Sequence, residues 1–217
     1  MATPYRQVRL DLAPSTQDVA RDLLDDLPVL VIAPAQTSGR GRAGSEWATA
    51  SRALATSLAV RNDPEDHRPL SLMAGVAATR STSGVALKWP NDLLMGGEKV
   101  GGILVELSEG LAVIGLGVNL WWPGAPSGAA ALFADDPGPD RHLEIGGVWG
   151  AEMMRLIDGE GWPIEEYRSR CDTLGRRVTW EPDGAGQAID LAPDGGLVVE
   201  TAEGRVTIHA GAVRHIR

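Results

Sequence analysis

Polar and apolar positions alternate over residues 5–12, with Val8, Leu10 and Leu12 on one side, the period of a strand covered on one face. Ser15 and Thr16 follow, then an amphipathic stretch over 17–27. Ser15 with Asp18 three residues on is a capping-box pattern and predicts a helix starting there. The unbroken run PVLVIA over 28–33 predicts a buried strand. Residues 37–52 are rich in glycine and arginine, follow neither period, and read as loop. A strand over 54–61, a buried helix of small residues over 70–79 and a short strand over 85–89 come next. Segments 93–95 and 99–107 flank Gly96-Gly97-Glu98, a hairpin signal, and 111–120 returns after Ser108-Glu109-Gly110, so the three form a meander.

Residues 121–140, rich in Pro, Gly, Ala and Asp, read as loop, and 143–157 and 163–174 as two helices. Beyond Gly175 the pattern changes to short strands over 177–181, 187–191, 196–200 and 206–209, separated by glycine turns. A small β-barrel over 175–217 is expected to pack on a main unit over 1–174, since so short a segment buries too little surface to stand alone. The whole reads as α+β, a mixed sheet with flanking helices and a small β appendage.

Composition narrows the chemistry. At 43% hydrophobic and 23% charged, the 217 residues describe a folded chain and not a disordered one. No apolar run approaches a membrane span, and the first residues lack the apolar stretch of a signal peptide, so no membrane partner and a cytoplasmic location are expected. The net charge of −9 argues against a general grip on nucleic acid. Cys171 is the single cysteine, excluding a disulfide framework and a cysteine metal cage, and His67, His142, His209 and His215 show no ligand spacing.

Three constellations carry candidate chemistry. The first runs Gln36-Thr37-Ser38-Gly39-Arg40-Gly41-Arg42-Ala43-Gly44-Ser45-Glu46-Trp47. Its glycines let the backbone approach an anion that Arg40 and Arg42 neutralise; the plain alternative is solvated arginines on a surface loop. Gly39, Gly41 and Gly44 also match a dinucleotide fingerprint, with Asp63 as its acid, so a nicotinamide-dependent oxidoreductase competes. Against it, 45–51 opens a helix poorly and no repeated βαβ pattern follows. The second is Lys88-Trp89-Pro90-Asn91-Asp92 with Lys99-Val100-Gly101-Gly102 after it: Pro90 ends a strand and leaves Asn91 and Asp92 at a turn, while the glycine pair opens a recess beside Lys99. A hairpin with solvated lysines is the alternative. The third is Gly115-Leu116-Gly117-Val118-Asn119, a strand bare on one face and ending in an Asn that either starts a turn or meets a nucleotide or hydrated metal.

Together these blocks resemble the biotin protein ligase family, in order and spacing, over nearly the whole chain; without a helix-turn-helix before them, the chain is similar to the short class lacking a DNA-binding domain. The resemblance implies a catalytic domain like that of class II aminoacyl-tRNA synthetases and biotin–lipoate ligases, with an SH3-like β-barrel after it. It implies ATP and biotin as substrates, Mg²⁺, and a biotin carboxyl carrier domain as protein partner, the enzyme being a monomer or weak homodimer. Ser15, Thr16, Gln17, Gln36, Gly41, Trp47, Lys88, Gly102 and Gly115 would line the biotin site. Arg40, Arg42, Asp92 and Lys99 would be catalytic, and Asn119 with the two arginines would meet ATP, Asn119 near its Mg²⁺. The chain departs from the family pattern at Gln17, where Asn is usual, at Ser45, where arginine is frequent, at Ala50, where proline is common, in a shortened 80–84 segment, and at 186–190. A leakier intermediate is the expectation attached to Ser45. A non-catalytic binder of biotin or biotinyl-AMP, and a lipoate or octanoate ligase-transferase, are the other readings.

Overall fold

The structure, a computed structural model, describes residues 3–41, 50–63, 65–108, 110–209 and 213–215. Strand β2 (Val29–Ala33) shows why the run at 28–33 has no alternation: both of its faces are covered. Leu30 and Ile32 join the large core with helices α2 (Leu70–Ser81) and α3 (Arg141–Arg155), while Val29 and Val31 meet Ala20 of α1 (Thr16–Leu23) on the opposite face. Helix α3 lies unusually close to β2. A Cβ added at Gly150 would stand 2.4 Å from Leu30, and one at Gly146 would stand 3.0 Å from Ile32, so this glycine pair one turn apart lets the helix settle on the sheet.

Among the described residues the main sheet has seven strands in the order β1-β2-β3-β7-β6-β5-β4, where β1 is Arg6–Arg9, β3 Arg52–Arg61, β4 Ala86–Lys88, β5 Asp92–Met95, β6 Glu98–Ser108 and β7 Leu111–Trp121. Only β1 and β2 pair in parallel, with α1 as their crossover; the other neighbours are antiparallel. The expected meander is present and β4 extends it to four strands. Strand β1 ends at Arg9, three residues before the alternation does. Ser15 occupies the N-cap of α1, but its side chain makes no capping bond and Asp18 is drawn to arginines instead, so the capping box is not formed.

After α3 come one π-helical turn (Leu156–Glu160) and α4 (Ile164–Arg170), which stops four residues before the expected end. The remaining strands, β8 (Arg177–Trp180), β9 (Gly184–Leu191), β10 (Leu197–Thr201), β11 (Gly204–Ile208) and β12 (Arg214–His215), form an antiparallel sheet in the order β11-β10-β9-β8-β12. It is open: among the described residues no pairing joins β11 to β12, so the expected barrel closure is absent. Strand β12 was not legible in the hydrophobic pattern. Val178, Ala188, Leu197 and Val199 share one core cluster with the main sheet and its helices. No described helix is long and apolar enough to cross a membrane.

Candidate active site

The sheet, α1 and the second sheet enclose a cavity of about 690 Å³, within the range of small-molecule sites. At one end, the segments leaving β1 and β2 run side by side, bridged at Ala13 and Gln36, with Thr37 N donating to Ala13 O (2.9 Å) and Ser38 N to Pro14 O (2.8 Å). This pairing brings Thr16 and Gln36 together. Gln36 Oε1 accepts from Thr16 N (2.7 Å) and from Thr16 Oγ1 (3.1 Å), and Ser57 Oγ lies 2.8 Å from Thr16 Oγ1. Because the Thr16 proton goes to Gln36, the Ser57 hydroxyl donates to Thr16.

Gln17 donates from Nε2 to Leu104 O (3.3 Å), which fixes its amide; its buried Oε1 has no hydrogen-bond partner among the described residues and rests over Gly115, where an added Cβ would come within 3.0 Å. The glycine in β7 is therefore a seat for Gln17. Ser15 is buried and lines the same end.

At the other end, Lys88 closes β4 and Asp92 opens β5 across the turn. Lys99 Nζ stands 2.5 Å from Asp92 Oδ1 and Lys88 Nζ 3.6 Å from Oδ2, so one carboxylate is flanked by two ammonium groups. Asn91 shapes the turn by exchanging bonds with Ile103: its Nδ2 donates to Ile103 O (3.0 Å) and Ile103 N to Asn91 O (2.8 Å). The two glycines beside Lys99 divide their tasks. Gly101 is needed for packing, since its Cβ would fall 2.6 Å from Gly117 O, and Gly102 lines the cavity opposite Asp92.

Arg40 and Gly41 line the mouth. The Arg40 guanidinium makes a two-pronged bond to Asp18 (2.8 and 2.7 Å) and stands 3.6 Å from Glu106, while Arg21 joins the same two acids at 3.2 and 2.6 Å. The hydrogen bond from Arg40 holds the Asp18 carboxyl below the usual range, and Asp18 in turn raises Arg40.

The structure thus brings Ser15, Thr16, Gln17, Gln36, Arg40, Gly41, Lys88, Asp92, Lys99, Gly102 and Gly115 to one cavity. Arg42, Ser45 and Trp47, with the loop closure expected of them, lie outside the described residues. Asn119 does not line the cavity formed by the described residues: it is buried, donates from Nδ2 to Ala130 O (3.1 Å), and accepts from Leu132 N (2.9 Å) at its backbone carbonyl, tying down the 122–133 excursion, while its Oδ1 has no partner among the described residues. Sequence reading missed Thr56 and Ser57, two polar residues in an apolar strand that could have been noticed, and Glu181, Val213 and Arg214, which the second sheet folds back to the cavity. Among the described residues, four cations, Arg40, Lys88, Lys99 and Arg214, line this cavity in a chain of net charge −9. Such an arrangement suits a ligand with an uncharged hydrogen-bonding head and an anionic reacting end.

Residues 12–119 match the family model described as the biotin/lipoate A/B protein ligase family. The biotin–[acetyl-CoA-carboxylase] ligase of Mycobacterium tuberculosis is 31% identical over 96% of this chain and 90% of its own length. That of Paracoccus denitrificans is 31% identical over 84% and 88%. Among solved structures, the biotin protein ligase of Aquifex aeolicus in complex with biotin and ATP superposes with a TM-score of 0.82 at 25% identity, covering 98% of this chain and 99% of that one.

Proposed function

Because the chain belongs to the biotin/lipoate A/B protein ligase family, we propose that it is a biotin protein ligase, activating biotin with ATP to biotinyl-5'-AMP and passing the biotinyl group to a lysine of a carboxylase's biotin carrier domain. The observation that carries this reading is the polarity of the cavity, with neutral hydrogen-bonding groups at one end and cations around Asp92 at the other.

In the first step a biotin carboxylate oxygen attacks the α-phosphorus, and the bond to pyrophosphate breaks. In the second the carrier amine attacks the acyl carbon, the carbon–oxygen bond to AMP breaks, and the amine proton passes to a base. Both steps gather negative charge, so fixed cations govern their rate. We assign Ser15, Thr16, Gln17 and Gln36 to the ureido head; Gln36, with Oε1 already occupied, offers Nε2 to the ureido oxygen. Gly41, Gly102 and Gly115 let the walls close around the bicyclic ring and chain. Lys99 exchanges Asp92 for the carboxylate and α-phosphate, which leaves Asp92 Oδ1 to receive the carrier amine while Lys88 stays with Oδ2. Arg40, with Arg42 and Trp47 by family resemblance, covers the adenylate and excludes water.

The described residues do not fit a resident Mg²⁺: Asp92 is already flanked by two ammonium groups, and Asn119 Oδ1 is buried away from the cavity. The ion of the family reaction belongs with the phosphates of ATP. We further assign 1–174 to the catalytic unit and 175–217 to the SH3-like unit, in a cytoplasmic enzyme, monomeric or weakly dimeric, acting on a carrier domain.

The test is the intact mass of a biotin carrier domain after incubation with this protein, biotin and MgATP. A gain of one biotinyl group that depends on ATP is expected. No gain, on a carrier that a proven ligase does modify, would overturn the reading in favour of a binder without transfer or of another acyl substrate.

A further inference from the structure

The turn that carries Lys88 and Asp92 is held from behind by residues that sequence and family resemblance left without a role. Asp172 N donates to Leu87 O (2.8 Å), which sets Thr173 against the turn. Thr173 is fully buried, and its Oγ1 accepts from the backbone N–H of Trp89 (2.9 Å). The same hydroxyl lies 3.1 Å from Nε2 of His215, on strand β12 of the second sheet. With the Trp89 N–H taking one lone pair of Oγ1, the Thr173 proton is directed to His215 Nε2, which accepts it only while that nitrogen carries no proton. The other ring nitrogen, Nδ1, faces Asp172 Oδ2 at 3.8 Å.

We propose that Thr173 and His215 are positioning residues of the reaction, holding the 88–92 turn so that Lys88 and Asp92 stay in register with Lys99. The pair touches no reacting atom; it acts through the backbone of Trp89, next in sequence to Lys88. The inference rests on the ligase reading for its kinetic form and on geometry alone for its structural form.

The surroundings of the ring favour the neutral state. Burial lowers the affinity of His215 for a proton, and Lys88 from β4 and Arg176 from the segment before β8 lower it further. Asp172 and Asp92 act in the opposite direction with smaller effect. Cys171, the remaining titratable neighbour of the Thr173 hydroxyl, is kept protonated by burial. Protonation of His215 would replace an acceptor with a donor at Nε2, strand the Thr173 proton, and add positive charge beside Lys88.

Two readouts test this. The first is independent of activity: in heteronuclear NMR of the intact chain, the Trp89 amide should shift with the protonation of the His215 ring, and should lose that titration in His215→Gln. The second is the steady-state rate of carrier biotinylation. Thr173→Val should lower kcat about tenfold, the cost of one stranded buried group, with KM for biotin unchanged. Thr173→Ser should retain most of kcat, and His215→Gln should flatten the acid limb of the kcat profile. A Trp89 amide that ignores the His215 titration, or a folded Thr173→Val with wild-type kcat, would overturn the proposal. If Thr173→Val does not fold, the amide titration and the acid limb of His215→Gln decide it. A wild-type protein that transfers no biotin would instead sink the ligase reading, and the amide titration would still judge the pair.

Discussion

The two ends of the cavity are built on different physics. At the floor, Thr16, Gln36 and Ser57 form a neutral network in which each hydroxyl proton has an acceptor, and Thr16 and Ser57 are buried. At the mouth, Lys88, Lys99 and Asp92 on one side and Arg21, Arg40, Asp18 and Glu106 on the other form partly exposed ion pairs. A buried neutral network resists rearrangement, because any misplaced partner leaves a polar group without solvent or bond. Exposed ion pairs are individually weak and are exchanged for another anion at little cost. The floor is therefore suited to recognising one ligand, and the mouth to a succession of anionic species.

Three substitutions would break or sharpen that contrast. Lys99→Ala should have the largest effect, lowering pyrophosphate release by about 10²–10³-fold, as loss of one charge-stabilising donor does. Since Lys99 is partly exposed, its melting temperature should stay near wild type, and a folded variant with normal release would remove it from the chemistry. Gly115→Ala strikes the floor instead. The new methyl would stand 3.0 Å from Gln17 Oε1 and force the amide from its seat. Biotin affinity by calorimetry should fall roughly tenfold to a hundredfold, the scale of a small misfit in a shaped pocket. Unchanged affinity would mean that Gln17 has room to retreat.

Asp18→Asn should be the mildest. Its ion pairs are exposed, so the cost in stability at neutral pH should be at most about 1 kcal/mol. The pH dependence has a definite sign. Because Asp18 is held below its usual range in the fold, the unfolded chain takes up the proton first as pH falls, and the stabilisation present at neutral pH is lost on the way down. The gap in melting temperature between wild type and Asp18→Asn should therefore narrow in acid; a gap that widened would contradict the pairing.

Much of the main sheet could be read from its apolar stretches, because β2 is apolar throughout and β3 and β7 are long and mostly apolar. What failed was local chemistry decided by distant partners. Asp18 reads as a capping residue until Arg40, 22 residues away, claims it. Asn119 reads as a turn or a nucleotide contact, and only the fold shows that its Nδ2 also anchors Ala130 O. The Lys-Trp-Pro-Asn-Asp block was legible as a site because Pro90 constrains the backbone and the glycines beside Lys99 open a recess whatever the context. Ser57 left a trace, a polar residue inside an apolar strand, whereas Arg214 left none, since nothing in its own neighbourhood tells that a cavity lies next to it.

The excursion over 122–133 leaves one more mark on the molecule. Lys99 N donates to Gly128 O (3.0 Å) and Lys99 O accepts from Ala130 N (2.8 Å), so the root of the long side chain is laced to that excursion on both sides. The backbone entropy of Lys99 is thus already surrendered on folding. When its ammonium settles on an anion, only the methylene rotors remain to be stilled, about 2 kcal/mol for a whole lysine side chain.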